Sequence, residues 1–473
     1  MPWKTLSYLS NKKIKSIQNK KLRYFIHHKI PFSPYYNGLF KKHKINFSDI
    51  KTTSDLKKLP FTLKEDIAPT KNNPEKPKNF ILQPNKDTIK VYSPKKDLLK
   101  YLLNKNAAFR EFNPVHLHFT TGRTANAVPF LHTAYDLEKL REAGRRLMDI
   151  AGISKNDRLI NAFPYAPHLA FWATFYAAEA SGLFALHTGG GKILGTKKII
   201  KAIENTKSTL ITAIPGFAYH MLREAKSQKA DFSNVQKIFF GGERVSAGLR
   251  DKIKGMLISL GSKNPKAFAT YAFTEGKVAW VECREQSGYH LYPDMEYIEV
   301  VDKNGENAAE EEKGEIVYTA LDFRGTVVLR YKTGDIGSIT YEKCSCGRTV
   351  PRISSEIERS SEIKEFNLTK IKGTIVNLNS FFELLHIKEI EEWQVEIKKK
   401  NNDPYELDEL IVYIAPKKNA DFVKLKAKLE NLLKEELEIT PKIVKAELKE
   451  LLDRLGMETE LKEKRIVDNR PKA

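Results

Sequence analysis

The chain of 473 residues has only three cysteines, and no apolar run approaches the ~18 uncharged residues of a membrane-crossing helix. Of Cys283, Cys344 and Cys346 the last two are one residue apart, too close for an ordinary bridge, so a disulfide framework is excluded and a reducing cytoplasm is expected. The stretch Met1 to Arg23 is broken by Lys4, Lys12, Lys13, Lys15, Lys20 and Lys21 and has no apolar core, so neither a secretory signal nor a membrane partner is expected. With 25 Gly and 21 Pro, the composition is neither collagenous nor of low complexity. Acidic residues are the other shortage: 59 Asp and Glu against 80 Lys and Arg leave a net charge of +21.

What is present is a globular composition, 41% hydrophobic and 10% aromatic, about three times as long as the ~150 residues of one domain. At least two folded units are expected. The positive charge favours polyanions, whether nucleic acid, nucleotides or phosphorylated cofactors. It is scattered, as in Lys197-Lys198, Lys398 to Lys400 and Lys417-Lys418, which reads better as a solvated lysine-rich surface than as the concentrated face of a nucleic-acid binder.

Met1 to about Leu59 reads as charged helix stopped at Pro60. The polar, Pro-rich segment from Pro69 to Pro94 reads as a surface excursion. From about Val115 to Tyr341, strand candidates (Arg158 to Phe163, Thr209 to Ile214, Lys237 to Phe240) alternate with helical ones (Asp136 to Ile150, Ala166 to Ser181, Lys197 to Thr206), which predicts an α/β fold. After Arg352, strands at Glu391–Lys399 and Glu409–Ala415, a helix carrying Phe422, Leu425, Leu429, Leu432 and Leu433, and a returning strand at Lys442–Ala446 predict a small α+β unit. The expected division is a large domain over 1–354, including a cysteine-containing region 283–346, and a small domain over 355–473.

Four short segments bear chemistry. Thr120-Thr121-Gly122-Arg123-Thr124 combines hydroxyls, a close-approach Gly and a cation, a set suited to polyphosphate, although a plain polar turn reads the same way. Phe239-Phe240-Gly241-Gly242-Glu243 runs a strand into a Gly pair that can lie beside a flat ring. Tyr271-Ala272-Phe273-Thr274-Glu275 offers an aromatic to stack on a base, a hydroxyl for phosphate and a carboxylate for Mg²⁺. In Arg330-Tyr331-Lys332-Thr333-Gly334-Asp335 the carboxylate can accept from two ribose hydroxyls. Read singly, each is a loop.

In this order and spacing the four resemble the adenylate-forming superfamily of acyl-CoA synthetases, and within it the phenylacetate–CoA ligase branch. The likeness extends to Pro34-Tyr35-Tyr36 and Leu59 to Asp66 near the start, to Cys346 to Ile353 at the domain junction, and to Lys462 to Arg470. The resemblance implies a large multi-sheet AMP-binding domain and a small mobile one. It also implies ATP-dependent conversion of a carboxylic acid to an acyl-adenylate, then transfer to CoA. Thr120, Thr121, Gly122 and Arg123 would face the ATP phosphates, and Gly242 and Glu243 would lie beside adenine with Tyr271, followed by Ala272 and Phe273, beneath it. Thr274 would serve the phosphate, Glu275 the Mg²⁺ ion, Asp335 the ribose, Arg359 the ribose or phosphate, and Lys462 the carboxylate and α-phosphate. The chain departs from the family pattern in several places: Leu117-His118-Phe119 replaces Ser-Ser-Gly, Thr124 replaces the Pro after the cation, Glu358 and Ser361 replace the Gly and the acidic hinge residue of the junction, and Leu461 replaces the Gly before the lysine.

Two further features stand beside these motifs. Cys283, His290, Cys344 and Cys346 make a Cys₃His set suited to a tetrahedral structural Zn²⁺ and closed to a catalytic water, the alternative being three buried thiols and a core histidine. Phe163, Tyr165, His168 and Gly190, near the aromatics Phe171, Trp172, Phe175 and Tyr176, are the candidate acyl wall and suggest an aromatic, phenylacetate-like acid. Adenylation with a non-CoA acceptor and a zinc-stabilised RNA-binding protein are the competing functions, and a homodimer stays open.

Overall fold

The computed structural model describes residues 1–120, 127–243, 245, 247–359, 369–371, 374–376, 380–399, 408–437, 440–457 and 463–470. A hairpin of β1 (Pro114–Phe119) and β2 (Pro129–Thr133) precedes a six-stranded sheet. That sheet holds β3 (Arg158–Asn161), β4 (Phe184–His187), β5 (Leu210–Ala213), β6 (Lys237–Phe240), β7 (Lys266–Ala272) and β8 (Ala279–Val281) in the order β4-β3-β5-β6-β7-β8. All its pairs are parallel except β7 with β8. All four residues of β5 are buried, as expected of a strand covered by helices on both faces. The strands and helices expected from 136 to 240 are present with ends shifted by at most three residues.

Two smaller sheets follow, built from β9 (Tyr289–His290), β10 (Glu296–Val301), β11 (Gly314–Ala320), β12 (Tyr331–Gly337), β13 (Ile339–Thr340), β14 (Arg352–Ile353) and β15 (Glu358–Arg359). One runs β10-β11-β12-β15 and the other β13-β14-β9. After a short hairpin, β16 (Thr369–Ile371) with β17 (Thr374–Val376), the chain forms β18 (Ile390–Lys399), β19 (Asp408–Pro416), β20 (Lys442–Lys445) and β21 (Ile466–Asp468), ordered β20-β19-β18-β21.

The helices used below are α1 (Asn11–His28), α2 (Lys95–Leu103), α3 (Lys105–Phe112), α4 (Ala134–Ile150), α5 (Leu169–Ser181), α6 (Pro215–Ser227), α7 (Ala247–Ser259), α8 (Phe422–Leu437) and α9 (Leu448–Leu455). Leu425, Leu429 and Leu433 of α8 pack with Val395, Ile397 and Val412 in a core of their own. Helix α9 bridges units: Leu452 and Leu455 join the core of the parallel sheet beside Phe217 and Met221 of α6, while Leu451 packs on Ala415 and Ala446. The excursion expected over 69–94 is less superficial than its polarity suggests. Phe80 and Leu82 within it are buried in the main core, and Leu82 N–H bonds the Gly325 carbonyl at 3.2 Å.

Candidate functional site

In an open parallel sheet the carboxyl ends of the strands, where the chain turns back into helices, are the natural ligand crevice. The loops after β3, β4, β6 and β7 carry the residues singled out above. Gly242, after β6, has φ +83°, a conformation that only Gly adopts without strain. Gly190, after β4, has φ +78°, and a Cβ there would lie 3.2 Å from the Pro164 Cα, so the loops after β3 and β4 touch. Tyr165 N–H bonds the Gly189 carbonyl at 3.1 Å across the same seam.

The acidic groups of the site are held by protein donors. The Tyr271 hydroxyl donates to Asp335 Oδ2 at 2.8 Å, joining the end of β7 to β12. The Tyr331 hydroxyl donates to Glu275 Oε1 at 2.8 Å. Glu243 Oε1 accepts from the backbone N–H of Glu463 at 3.0 Å, and Arg465, buried between Glu463 and Glu392, fixes that segment with bonds of 2.9 and 2.6 Å. The C-terminal strand β21 therefore begins beside the Gly242-Glu243 loop. Asp335 pairs with Arg359 of β15 in the backbone ladder. Thr120 Oγ1 accepts from Val128 N–H at 2.9 Å, and Thr274 Oγ1 reaches the Phe119 carbonyl at 3.5 Å. Phe273 is buried and Ala272 exposed. Thr121, Gly122, Arg123 and Lys462 lie outside the described residues, as does the side chain of Arg359.

Behind Tyr271 stands an aromatic wall, with ring centroids 5.5 Å to Phe273, 5.6 Å to Trp280 and 5.8 Å to Tyr289. Trp280 Nε1 donates at 2.9 Å to Glu296, whose carboxyl burial pushes up to about 8 against the opposing pull of the Trp280 and Tyr292 N–H donors. Tyr289 leads into His290 and the cysteine cluster. There Cys283 and Cys344 sulfurs are 3.7 Å apart, Cys346 Sγ is 3.7 Å from His290 Nε2, and the four ligand atoms lie within 4.8 Å of one another. A tetrahedron with ~2.3 Å metal–sulfur bonds has edges of about 3.8 Å, so the set fits Zn²⁺. A hydrogen bond from Cys283 and then one from His290 hold Cys346 well below the usual thiol range, while the same Cys346 contact pushes Cys283 up, and Arg348 Nη1 donates to the Cys346 sulfur at 3.6 Å.

On the acyl side Phe163 is buried, His168 is half-buried with Nδ1 3.0 Å from the Phe119 carbonyl, and Tyr165 is 60% exposed with its ring 5.3 Å from Phe171. Two features were not foreseen. His116, His118 and His132 share one face of the β1–β2 hairpin, with His116 Nε2 2.9 Å from His118 Nε2 and His116 4.9 Å from the Trp172 ring. Burial, then the neighbouring His116, Lys277 and His168 charges, lowers His118 to about 3, so it is neutral at pH 7. Buried Lys277, just past the Thr274–Gly276 turn, donates to Asp136 Oδ2 at 2.8 Å and to the Leu131 carbonyl at 2.9 Å. It ties the segment bearing Thr274 and Glu275 to the hairpin bearing Thr120. The alternation His116-x-His118 was the only sequence signal for the first feature. The second joins residues 141 apart and had none.

These parallel strands, with Gly-opened loops and acids converging at their carboxyl ends, define a nucleotide-using α/β enzyme architecture. The profile of the AMP-binding enzymes matches residues 47–322, more than half of the chain. Phenylacetate–coenzyme A ligase of Thermus thermophilus is 23% identical over 361 residues, covering 76% of this chain and 73% of that protein. Its Escherichia coli counterpart is 23% identical over 362 residues, covering 75% and 74%. Among solved structures, 2-hydroxyisobutyryl-CoA ligase in the postadenylation state in complex with 2-HIB-AMP matches with a TM-score of 0.74 at 18% identity, covering 98% of this chain and 92% of that one. The chain belongs to the AMP-binding enzyme family, as a phenylacetate–CoA ligase-like member.

Proposed function

We propose that the protein activates a carboxylic acid with ATP, releasing pyrophosphate, and passes the acyl group from the acyl-adenylate to the thiol of CoA, releasing AMP. The observation that carries this reading is the convergence of Asp335, Tyr271, Glu275 and Glu243 at the sheet's carboxyl end, with the residue that follows Lys462 bonded to Glu243. The substrate carboxylate is itself the nucleophile, so the site needs alignment and charge stabilisation rather than a general base. Asp335 takes the ribose hydroxyls, Tyr271 and the Gly242 loop flank adenine, and Thr120, Thr121, Arg123 and Thr274 face the phosphates. Lys462 adds a cation at the α-phosphate. The hard carboxylate oxygens of Glu275 suit Mg²⁺, which would offset phosphate charge there. Zn²⁺ held by Cys283, His290, Cys344 and Cys346 would be structural, since four protein ligands leave no open position.

The aromatic rings of Phe163, Phe171 and Trp172 support an aryl acid as substrate, and the free thiols support a reducing, cytoplasmic setting. We place the division into large and small domains near 354, with the small one turning between the two half-reactions. Incubation with ATP, Mg²⁺, CoA and a panel of aryl and alkyl acids, followed by mass analysis of the products, tests the reading: acyl-CoA and AMP should form together. AMP appearing with an acyl-adenylate but no thioester would move the acceptor away from CoA.

A further inference from the structure

Helix α2 is turned inside out for a globular protein. Its polar residues Asp97 and Tyr101 point inward: Asp97 Oδ2 accepts from the buried Lys29 ammonium at 2.9 Å and from the Tyr24 hydroxyl at 2.6 Å, and the Tyr101 hydroxyl donates to buried Glu111 at 3.1 Å. Three of its four leucines, which an amphipathic helix normally buries, point outward: Leu99, Leu102 and Leu103 are 57%, 78% and 79% exposed, with Leu98 half-buried. Phe109 of the adjoining α3 is 62% exposed. Apolar surface clustered in this way marks an interaction face.

The charges around it select the partner. Lys95, Lys96, Lys100 and Arg110 are exposed, whereas the acids of these two helices, Asp97 and Glu111, are spent on Lys29, Lys100 and Arg324. Among the described side chains of α2 and α3, the outward charge is all positive. A second copy bound symmetrically would set these cations against their own kind on a chain of net charge +21. Protruding Leu and Phe rimmed by Lys and Arg instead match a helix lying in the headgroup region of an anionic bilayer, with apolar groups among acyl chains and cations at phosphate. No described helix is long and apolar enough to cross a membrane, so such contact is superficial. We propose that the α2–α3 face docks on an anionic lipid surface, a partner that the sequence reading did not expect.

Co-sedimentation of the full chain with vesicles tests this. The protein should bind vesicles of equal parts phosphatidylglycerol and phosphatidylcholine, and not phosphatidylcholine alone. Leu99→Ser/Leu102→Ser/Leu103→Ser should lower partitioning roughly tenfold or more at an unchanged melting temperature, because all three side chains are exposed. Lys197→Glu/Lys198→Glu, which alters exposed lysines on another helix, should retain binding within about twofold, since the attraction is local to the α2–α3 face. Absence of anionic-vesicle binding overturns the proposal. So does equal loss in both variants, which would mean diffuse attraction to net charge, or parent-like binding by the leucine variant, which would leave the face to an acidic protein.

Discussion

The two ends of the candidate site are built to different standards. At the nucleotide end Asp335, Glu275 and Glu243 each meet a protein donor at 2.8 to 3.0 Å, and the ring of Tyr271 rests on an aromatic wall that continues through Tyr289 to the cysteine cluster. At the acyl end Tyr165 is largely exposed, and both ring nitrogens of fully buried His132, with Nδ1 of His118, have no hydrogen-bond partner among the described residues. In the proposed reading, groups that meet the same nucleotide at every turnover are braced in advance. The unsatisfied imidazole nitrogens of the β1–β2 hairpin leave polar capacity beside the proposed acyl side.

This contrast can be broken from the nucleotide side. The largest effect should come from the proposed zinc brace: Cys344→Ser would remove one of its four proposed ligands, and loss of a metal held there should cost on the order of 4 kcal/mol of stability. Metal analysis should fall from one Zn²⁺ per chain to none together with the melting temperature, and folded, active parent protein without Zn²⁺ would refute the brace. Next is Lys462→Ala, expected to slow adenylation roughly 10²-fold while largely sparing thioester formation from a supplied acyl-adenylate, as followed in separate half-reaction assays. Third, Asp335→Ala should weaken ATP binding by roughly 1.5–3 kcal/mol in calorimetry without changing which acids are used.

A further prediction is a pH dependence. Glu296 holds its proton up to about 8 when folded, against an ordinary 4.5, so the folded state binds the extra proton between these values. Its contribution to stability is full below about 4.5 and is lost as pH rises through about 8. Denaturant titrations should show stability falling across this window, and Glu296→Gln should flatten the fall.

The sequence exposed these regions unequally for a physical reason. Gly242, Tyr271, Thr274 and Asp335 lie in contiguous runs, because a turn that wraps a nucleotide takes several donors from one short loop. The parallel strands were visible because burial on both faces demands largely apolar runs such as Leu210-Ile211-Thr212-Ala213. The acyl wall, by contrast, is assembled by strand register, which sets His132 opposite His116, and by loop contact, which sets Gly190 on Pro164. Neither pairing is written in one run of residues, and His116-x-His118 is the one local trace. The Lys277–Asp136 pair and the buried Phe80-Leu82 anchor were hidden likewise, one by distance along the chain and the other by the prolines around it.

In the proposed reading, these loops activate a carboxylate on ATP. Exchange of labelled pyrophosphate into ATP reports that half-reaction alone, whatever the acceptor. Exchange should require Mg²⁺ and an added carboxylic acid, be greatest with an aryl acid, and be cut roughly 10²-fold in Lys462→Ala. Folded, zinc-replete protein that shows no exchange with any aryl or alkyl acid would contradict it.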